Sequence, residues 1–176
     1  MRLLAISGSL REASSNTVLL KAARLVAPEG IEIELYQGLG SLPHFNPDLD
    51  VEPLPPAVAD LRARIAAADG LLISSPEYAR GVPGSLKNAL DWLVSGAEFP
   101  EKPVAFFNAS DRSVNAQAAL RLTLETMSGR MVDEAMVTVR LLGKAQTAEE
   151  IASDPEIART VRSALQAFAK AITPRT

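Results

Sequence analysis

Cysteine is absent from the 176 residues and histidine occurs once. Without thiols there is no disulfide, no thiolate nucleophile, no cysteine-ligated zinc and no iron–sulfur cluster, and a single imidazole all but removes a histidine-built metal site. Long apolar runs are missing too. Membrane-spanning helices need about 18 or more consecutive apolar residues, and here the N-terminal run Leu3-Leu4-Ala5-Ile6 meets Ser7-Gly8-Ser9 too early even for a secretory signal. The expectation is a cytoplasmic protein without a membrane partner. Neither sign of charge dominates: 18 Lys and Arg stand against 21 Asp and Glu, a net charge of -3, with no basic run. That argues against nucleic acid as a partner, and equally against a strongly acidic docking protein. The Walker A ending Gly-Lys-Ser/Thr, the dinucleotide pattern G-x-G-x-x-G and the hydrolase elbow G-x-S-x-G are all lacking. Difficult chemistry must be supplied by something other than the side chains.

What is present is ordinary globular composition, 47% apolar and 22% charged, at a length that suits one domain over 1–176. Leu3–Ile6, Leu71–Ile73 and Val104–Phe107 are short, continuously apolar runs, the signature of strands buried on both faces. Ile31–Leu35 alternates with period two, and Met131–Leu141 does so loosely through Val137 and Val139, which suits edge strands. Helical stripes lie between them: Val18, Leu19, Ala22, Ala23 and Val26, closed by Pro28; Val58, Leu61, Ile65 and Ala68, closed by Gly70; Leu86, Leu90 and Leu93; Ala116, Leu120, Leu124 and Met127, with Gly129 at C′. The last stripe, Ile157 to Ile172, follows Asp154-Pro155, an N-cap and N1 pair, and Thr147-Ala-Glu-Glu ahead of it has capping-box spacing.

Five strands alternating with helices predict an α/β domain with a parallel sheet and right-handed crossovers. With the second and fifth strands at the edges, the order 2-1-3-4-5 fits, the flavodoxin-like sheet in a three-layer sandwich; 3-2-1-4-5 would strand an all-apolar segment at an edge. Ligands then belong on the loops at the C-terminal ends of the first and third strands, where the order reverses.

The loop after the first strand, Ser7 to Asn16, carries four serine hydroxyls, an amide and a guanidinium and runs into a helix N-terminus. Unpaired N–H groups and the positive end of the helix dipole favour an anion there. Magnesium is not indicated, because Ser, Arg and Asn are not the hard anionic ligands it needs. Helix capping by Ser14 explains one hydroxyl but leaves Ser9 and Arg11 without a purpose. After the third strand, Ser74 to Gly84 holds two prolines and two glycines, a rigid loop whose N–H groups suit the edge of a flat ring, with Tyr78 available for stacking. An ordinary proline-bounded turn has the same composition. In the loop after the fourth strand, Asp111 or Ser113 reads as a cap for the next helix, and Ser110 as either cap or ligand contact.

Gly8-Ser9-x-Arg11-x-x-Ser14-x-Asn16, taken with Pro76-Glu77-Tyr78 and Pro83-Gly84-x-Leu86-Lys87-Asn88-Ala89-x-Asp91-Trp92, resembles the NADPH-dependent FMN reductase family, which includes chromate, azo-dye and quinone reductases. The resemblance covers all but the last helix. It implies FMN as cofactor, NADPH or NADH as donor, a small-molecule electron acceptor, and a homodimer or dimer of dimers. It places the phosphate on Ser9, Arg11, Ser14, Ser15 and Asn16, and the isoalloxazine on the loop of Pro76, Glu77, Tyr78, Ala79 and Gly81, with Ser110 nearby and no side chain needed as an acid–base catalyst. Ala79, Gly81 and Val114-Asn115 depart from the family pattern of Asn, Ser and Gly-Gly. A flavodoxin-type electron carrier and a non-catalytic regulatory dimer are the competing readings.

Other residues read as structural. His44 lies in a proline-rich segment, Gln37 to Pro56, whose length suggests a lid or interface across the flavin edge or the partner subunit. Asp48, Asp50 and Glu52 read as a solvated loop. Trp92 reads as a core or dimer contact. Arg80 reads as a solvated arginine, and Glu77 as pairing with Arg80 or Lys87.

Overall fold

The computed structural model describes residues 1–141 and 146–172. Five strands form the expected parallel sheet in the order β2-β1-β3-β4-β5, from β1 (Arg2–Ser7), β2 (Glu32–Tyr36), β3 (Gly70–Ser74), β4 (Pro103–Asn108) and β5 (Arg130–Met131). β3 and β4 are buried along their whole length and β1 over Leu3–Ile6, as continuous apolar runs require. Their side chains alternate between two cores. Leu3, Ala5, Leu72 and Phe107 face α1 (Ser15–Leu25), α5 (Ala148–Ser153) and α6 (Pro155–Ile172). Leu4, Ile6, Leu71, Ile73 and Phe106 face α2 (Pro56–Ala67), α3 (Gly84–Asp91) and α4 (Val114–Thr126). Two helical layers thus enclose the sheet.

The expected fifth strand is divided. Arg130–Met131 (β5) and Val137–Thr138 (β6) both pair with β4, and a 3-10 turn at Asp133–Ala135 separates them. Asp133 and Glu134 interrupt the apolar alternation, so the chain turns them to solvent, where Arg121 pairs with Asp133. Val132, Ala135, Val137, Val139 and Leu141 still reach the core.

Three helix ends differ in detail from the pattern. α4 closes in a Schellman motif with Ser128 in the left-handed C′ position (φ 63°), while Gly129 is C″ and donates its N–H to Leu124 O at 2.8 Å. α1 ends at Leu25, ahead of Pro28. Gly70 does not stop α2 but opens β3, where a Cβ would lie 2.5 Å from the ring of fully buried Phe168. Glycine is needed there for helix–sheet contact. The capping box at Thr147–Glu150 and the Asp154 cap, which takes N–H bonds from Glu156 and Ile157, form as the spacing predicts.

The proline-rich segment folds onto α3. Asn88 accepts the Phe45 N–H at 2.7 Å and donates to Pro43 O, and the indole N–H of fully buried Trp92 reaches the same carbonyl at 2.8 Å. Phe45 stands edge-on to that indole, with ring centroids 5.1 Å apart. Arg62 anchors the far end through Asp50 at 2.9 Å, Glu98 and the Trp92 carbonyl. Trp92 is therefore a core residue, and Asp50 is the partner of an arginine within a folded segment.

Candidate functional site: a cleft at the switch point of the sheet

The strand order reverses between β1 and β3, and a cleft of about 360 Å³ opens there, within the size range of small-molecule sites. Three loops line it, following β1, β3 and β4. They bring together Ser9, Arg11, Ser14, Ser15, Asn16, Pro76, Glu77, Tyr78 and Ser110, nine of the residues expected from sequence. Ala79 and Gly81 do not line it. Ala13, Ala109, Arg112 and Ser113 complete the walls. A groove at the opposite end of the sheet, bordered by Arg2, Glu34 and Arg64, is spanned by ion pairs among those three residues.

The first loop is drawn tightly against the third strand. Gly8 donates its N–H to Ser74 O at 2.8 Å, and a Cβ at Gly8 would lie 2.7 Å from Ser75 Oγ and 3.0 Å from Leu86 Cδ2, so any larger residue would have to push these side chains aside. Ser7 Oγ accepts from Thr17 Oγ1 at 2.8 Å and from the Ser9 N–H, fastening the start of the loop to the first turn of α1. Ser9 Oγ in turn accepts the Arg11 N–H at 3.2 Å. Asn16 Oδ1 accepts from Ser74 Oγ at 2.9 Å, which leaves its amide N–H groups as donors.

This wall fits an anion. The first turn of α1 holds no acidic residue, and Ser14 caps it only through a long 3.5 Å contact to the Thr17 N–H. The Ser15 and Asn16 N–H groups make no bond among the described residues, and the Arg11 guanidinium has no carboxylate partner. A phosphate answers all of these donors at once.

The second wall is a rigid loop. Tyr78 and Gly81 exchange both backbone hydrogen bonds, at 2.9 and 3.1 Å, around Ala79 (φ 49°) and Arg80 (φ 61°), a tight turn with two left-handed non-glycine residues. The Gly81 N–H is thus committed to Tyr78 O, while the Glu77, Ala79 and Arg80 N–H groups make no bond among the described residues. Tyr78 is more than half exposed beside the cleft.

Glu77 pairs differently from the sequence expectation. Lys87 is taken by Asp91. The Glu77 carboxylate reaches across to α4, accepting the Ala116 N–H at 3.0 Å and the Asn115 side-chain N–H at 3.2 Å. It supplies the N-cap that Ser113, expected to cap this helix, does not, and Asp111 pairs with Arg140 instead. The Ala116 N–H above all, with Asn115 and the Arg80 charge assisting against partial desolvation, holds the Glu77 carboxyl below the usual glutamate value.

Sequence reasoning missed Ser74, Ser7 and Thr17, the hydroxyls that fasten the first loop, and Arg112 on the third wall. Ser74 carried a signal, since it ends the apolar run of β3 at the C-terminal edge of the sheet.

A helix N-terminus free for an anion, next to a rigid loop at the switch point of a 2-1-3-4-5 sheet, defines a flavodoxin-like protein with a mononucleotide-type cleft. The chain matches the NADPH-dependent FMN reductase family over residues 1–141 and belongs to it. It is 35% identical over 173 residues to an NAD(P)H-dependent FMN reductase of Pseudomonas aeruginosa, covering 96% of this chain and 93% of that one. It is 34% identical over 106 residues to a quinone reductase of Escherichia coli K12, covering 60% of this chain and 55% of that protein. The solved structure of FerB, a flavoenzyme NAD(P)H:(acceptor) oxidoreductase of Paracoccus denitrificans, superposes with a TM-score of 0.84 at 29% identity, over 97% of this chain and 96% of that one.

Proposed function

We propose that this chain holds FMN in the switch-point cleft and acts as an NAD(P)H-dependent reductase of small acceptors such as quinones, azo or nitro compounds, chromate or free flavin. The observation that carries this reading is the convergence of Arg11, the unbonded N–H groups of Ser15 and Asn16, and the Pro76–Tyr78 loop on one cleft. FMN held there would supply two-electron redox chemistry between NADH or NADPH and a small acceptor, in ping-pong order.

The protein binds and orients. Arg11, Ser9 and the start of α1 take the phosphate, with the Asn16 amide aimed by Ser74. The Glu77 N–H, on the cleft wall, is the donor of this loop available to the polar edge of the ring, and the Tyr78–Gly81 turn that follows makes the loop rigid. Among the titratable groups of the cleft, Glu77 is already engaged with α4, so no side chain is assigned as an acid–base catalyst.

The same reading includes a homodimer or dimer of dimers. Leu10, Tyr78 and Val114, exposed apolar side chains flanking the cleft, support a second copy covering its open side. Static light scattering of the flavin-loaded protein tests the assembly. The decisive experiment is the visible spectrum of purified protein with FMN before and after NADH or NADPH under anaerobic conditions. The expected result is stoichiometric flavin uptake and bleaching of the oxidised band; no uptake, or no bleaching with either donor, refutes the proposal.

A further inference from the structure

Glu77 stands where two walls of the cleft meet. It belongs to the loop after β3, yet both of its oxygens are bonded 38 to 39 residues away at the start of α4, to Asn115 Nδ2 and to the Ala116 N–H. Ser113, the residue at the N-cap, gives α4 no side-chain bond. The only side-chain acceptors shown for that helix start therefore come from the opposite wall. Nor is the loop self-sufficient. Ala79 and Arg80 both occupy left-handed backbone, a conformation that side-chain-bearing residues hold only when their surroundings enforce it. The Tyr78–Gly81 bridge closes the turn, and the Glu77 carboxylate anchors the residue just before it to α4.

We propose that Glu77 is a positioning residue for the cofactor site. By capping α4 from the β3–α3 loop, it ties the second wall of the cleft to the third and fixes the width of the cleft before the ligand arrives. This rests on the FMN-binding reading above. The contact also disposes of a charge. Glu77 is the one carboxylate among the described residues lining the cleft, and an uncompensated carboxylate would oppose the negative charge that reduction adds to a flavin. Directed at the positive end of α4, with Arg80 close by, it is compensated where it stands. The tie thus does two things. It preorganises the loop that offers the Glu77 N–H, and it compensates the charge of the one acidic group among the described residues lining the cleft.

The two effects separate in two variants. Glu77→Ala removes tether and charge. The loop then samples other conformations, and the apparent dissociation constant rises by the reciprocal of the competent fraction, roughly tenfold if about one molecule in ten retains the native loop. Glu77→Gln keeps one acceptor for α4 and removes only the charge. Its FMN affinity should stay within about threefold of wild type, while the midpoint potential of the bound flavin shifts to a more positive value.

The experiment is titration of the wild-type and both variant proteins with FMN, followed by potentiometry of the flavin-loaded forms and thermal melts of the flavin-free forms. A purely structural cap would lower the melting temperature of Glu77→Ala and leave FMN affinity and potential at wild-type values, which overturns the proposal. If Glu77→Ala does not fold, an unshifted potential in Glu77→Gln overturns it instead. Wild-type protein that takes up no FMN refutes the functional reading itself, a result distinct from either of these.

Discussion

Arg11→Ala is the sharpest test of the phosphate seat. The Arg11 side chain makes no hydrogen bond or ion pair among the described residues, and only its backbone N–H is engaged, by Ser9 Oγ. Its removal therefore breaks no hydrogen bond or ion pair, and the stability of the flavin-free protein should not change by more than the few tenths of a kcal/mol typical of surface substitutions. A bound phosphate would lose one charge-assisted hydrogen bond, worth about 1.5 to 3 kcal/mol. Taking ~2 kcal/mol, FMN affinity falls roughly thirtyfold. Titration of the flavin-free protein by quenching of flavin fluorescence reads this directly. Riboflavin provides the control: it has the same ring system and no phosphate, so its affinity should be the same in wild type and Arg11→Ala. An FMN affinity within twofold of wild type, or an equal loss for riboflavin, would show that Arg11 does not hold the phosphate.

The remaining predictions concern the scaffold and the acid response. Gly70→Ala places a methyl group 2.5 Å from the Phe168 ring and 3.2 Å from Pro103 O, so overpacking should cost about 1 to 3 kcal/mol and lower the melting temperature by roughly 2 to 4 °C for each. Asn88→Ala removes the acceptor of the Phe45 N–H and one donor to Pro43 O, which should cost about 2 kcal/mol and expose the segment around Phe45 to limited proteolysis; unchanged cleavage would argue against the anchoring role. Because the folded-state value of Glu77 lies below its unfolded value, its stabilisation is complete above the usual carboxylate range and is lost as the pH falls through the depressed folded value. Glu77→Gln should flatten that part of the acid limb of the melting-temperature profile, and an identical limb in the variant would show that the contact to α4 is not maintained in solution.

Legibility differed between elements for physical reasons. β1, β3 and β4 are buried on both faces, so their apolar runs could belong to few other structures, and the polarity of Ile31–Leu35 was enough to place β2 at an edge. The fifth strand was not legible as two pieces, because Val132, Val137 and Val139 are all buried whether the chain is extended or turned, and the interruption depends on Arg121 receiving Asp133. The C-cap of α4 shows the same limit. Glycine is the residue expected in left-handed backbone, but Ser128 takes that position, and Gly129 lies one residue further on, where a Cβ would come within 3.0 Å of Phe99. In the site, Arg11, Ser14 and Asn16 could be recognised because their chemistry is local to one loop at a helix start. Glu77 could not, because its partners lie 38 to 39 residues away and one of them is a backbone N–H that no sequence pattern marks.

By itself, then, the amino-acid sequence determined the class of sheet, its strand order, the end of the sheet at which the cleft opens, and the exclusion of thiol and histidine-cluster chemistry, all of which follow from burial periodicity and residue type. Only the tertiary structure decided how the cleft is held. It showed that Ser75 and Leu86 crowd Gly8, that the Gly81 N–H is committed to Tyr78, that Ser74 turns the Asn16 amide, and that a carboxylate from one loop caps the helix of another. These are contacts between residues far apart in the chain, and their strength depends on distance and direction in space, which adjacency in sequence does not encode.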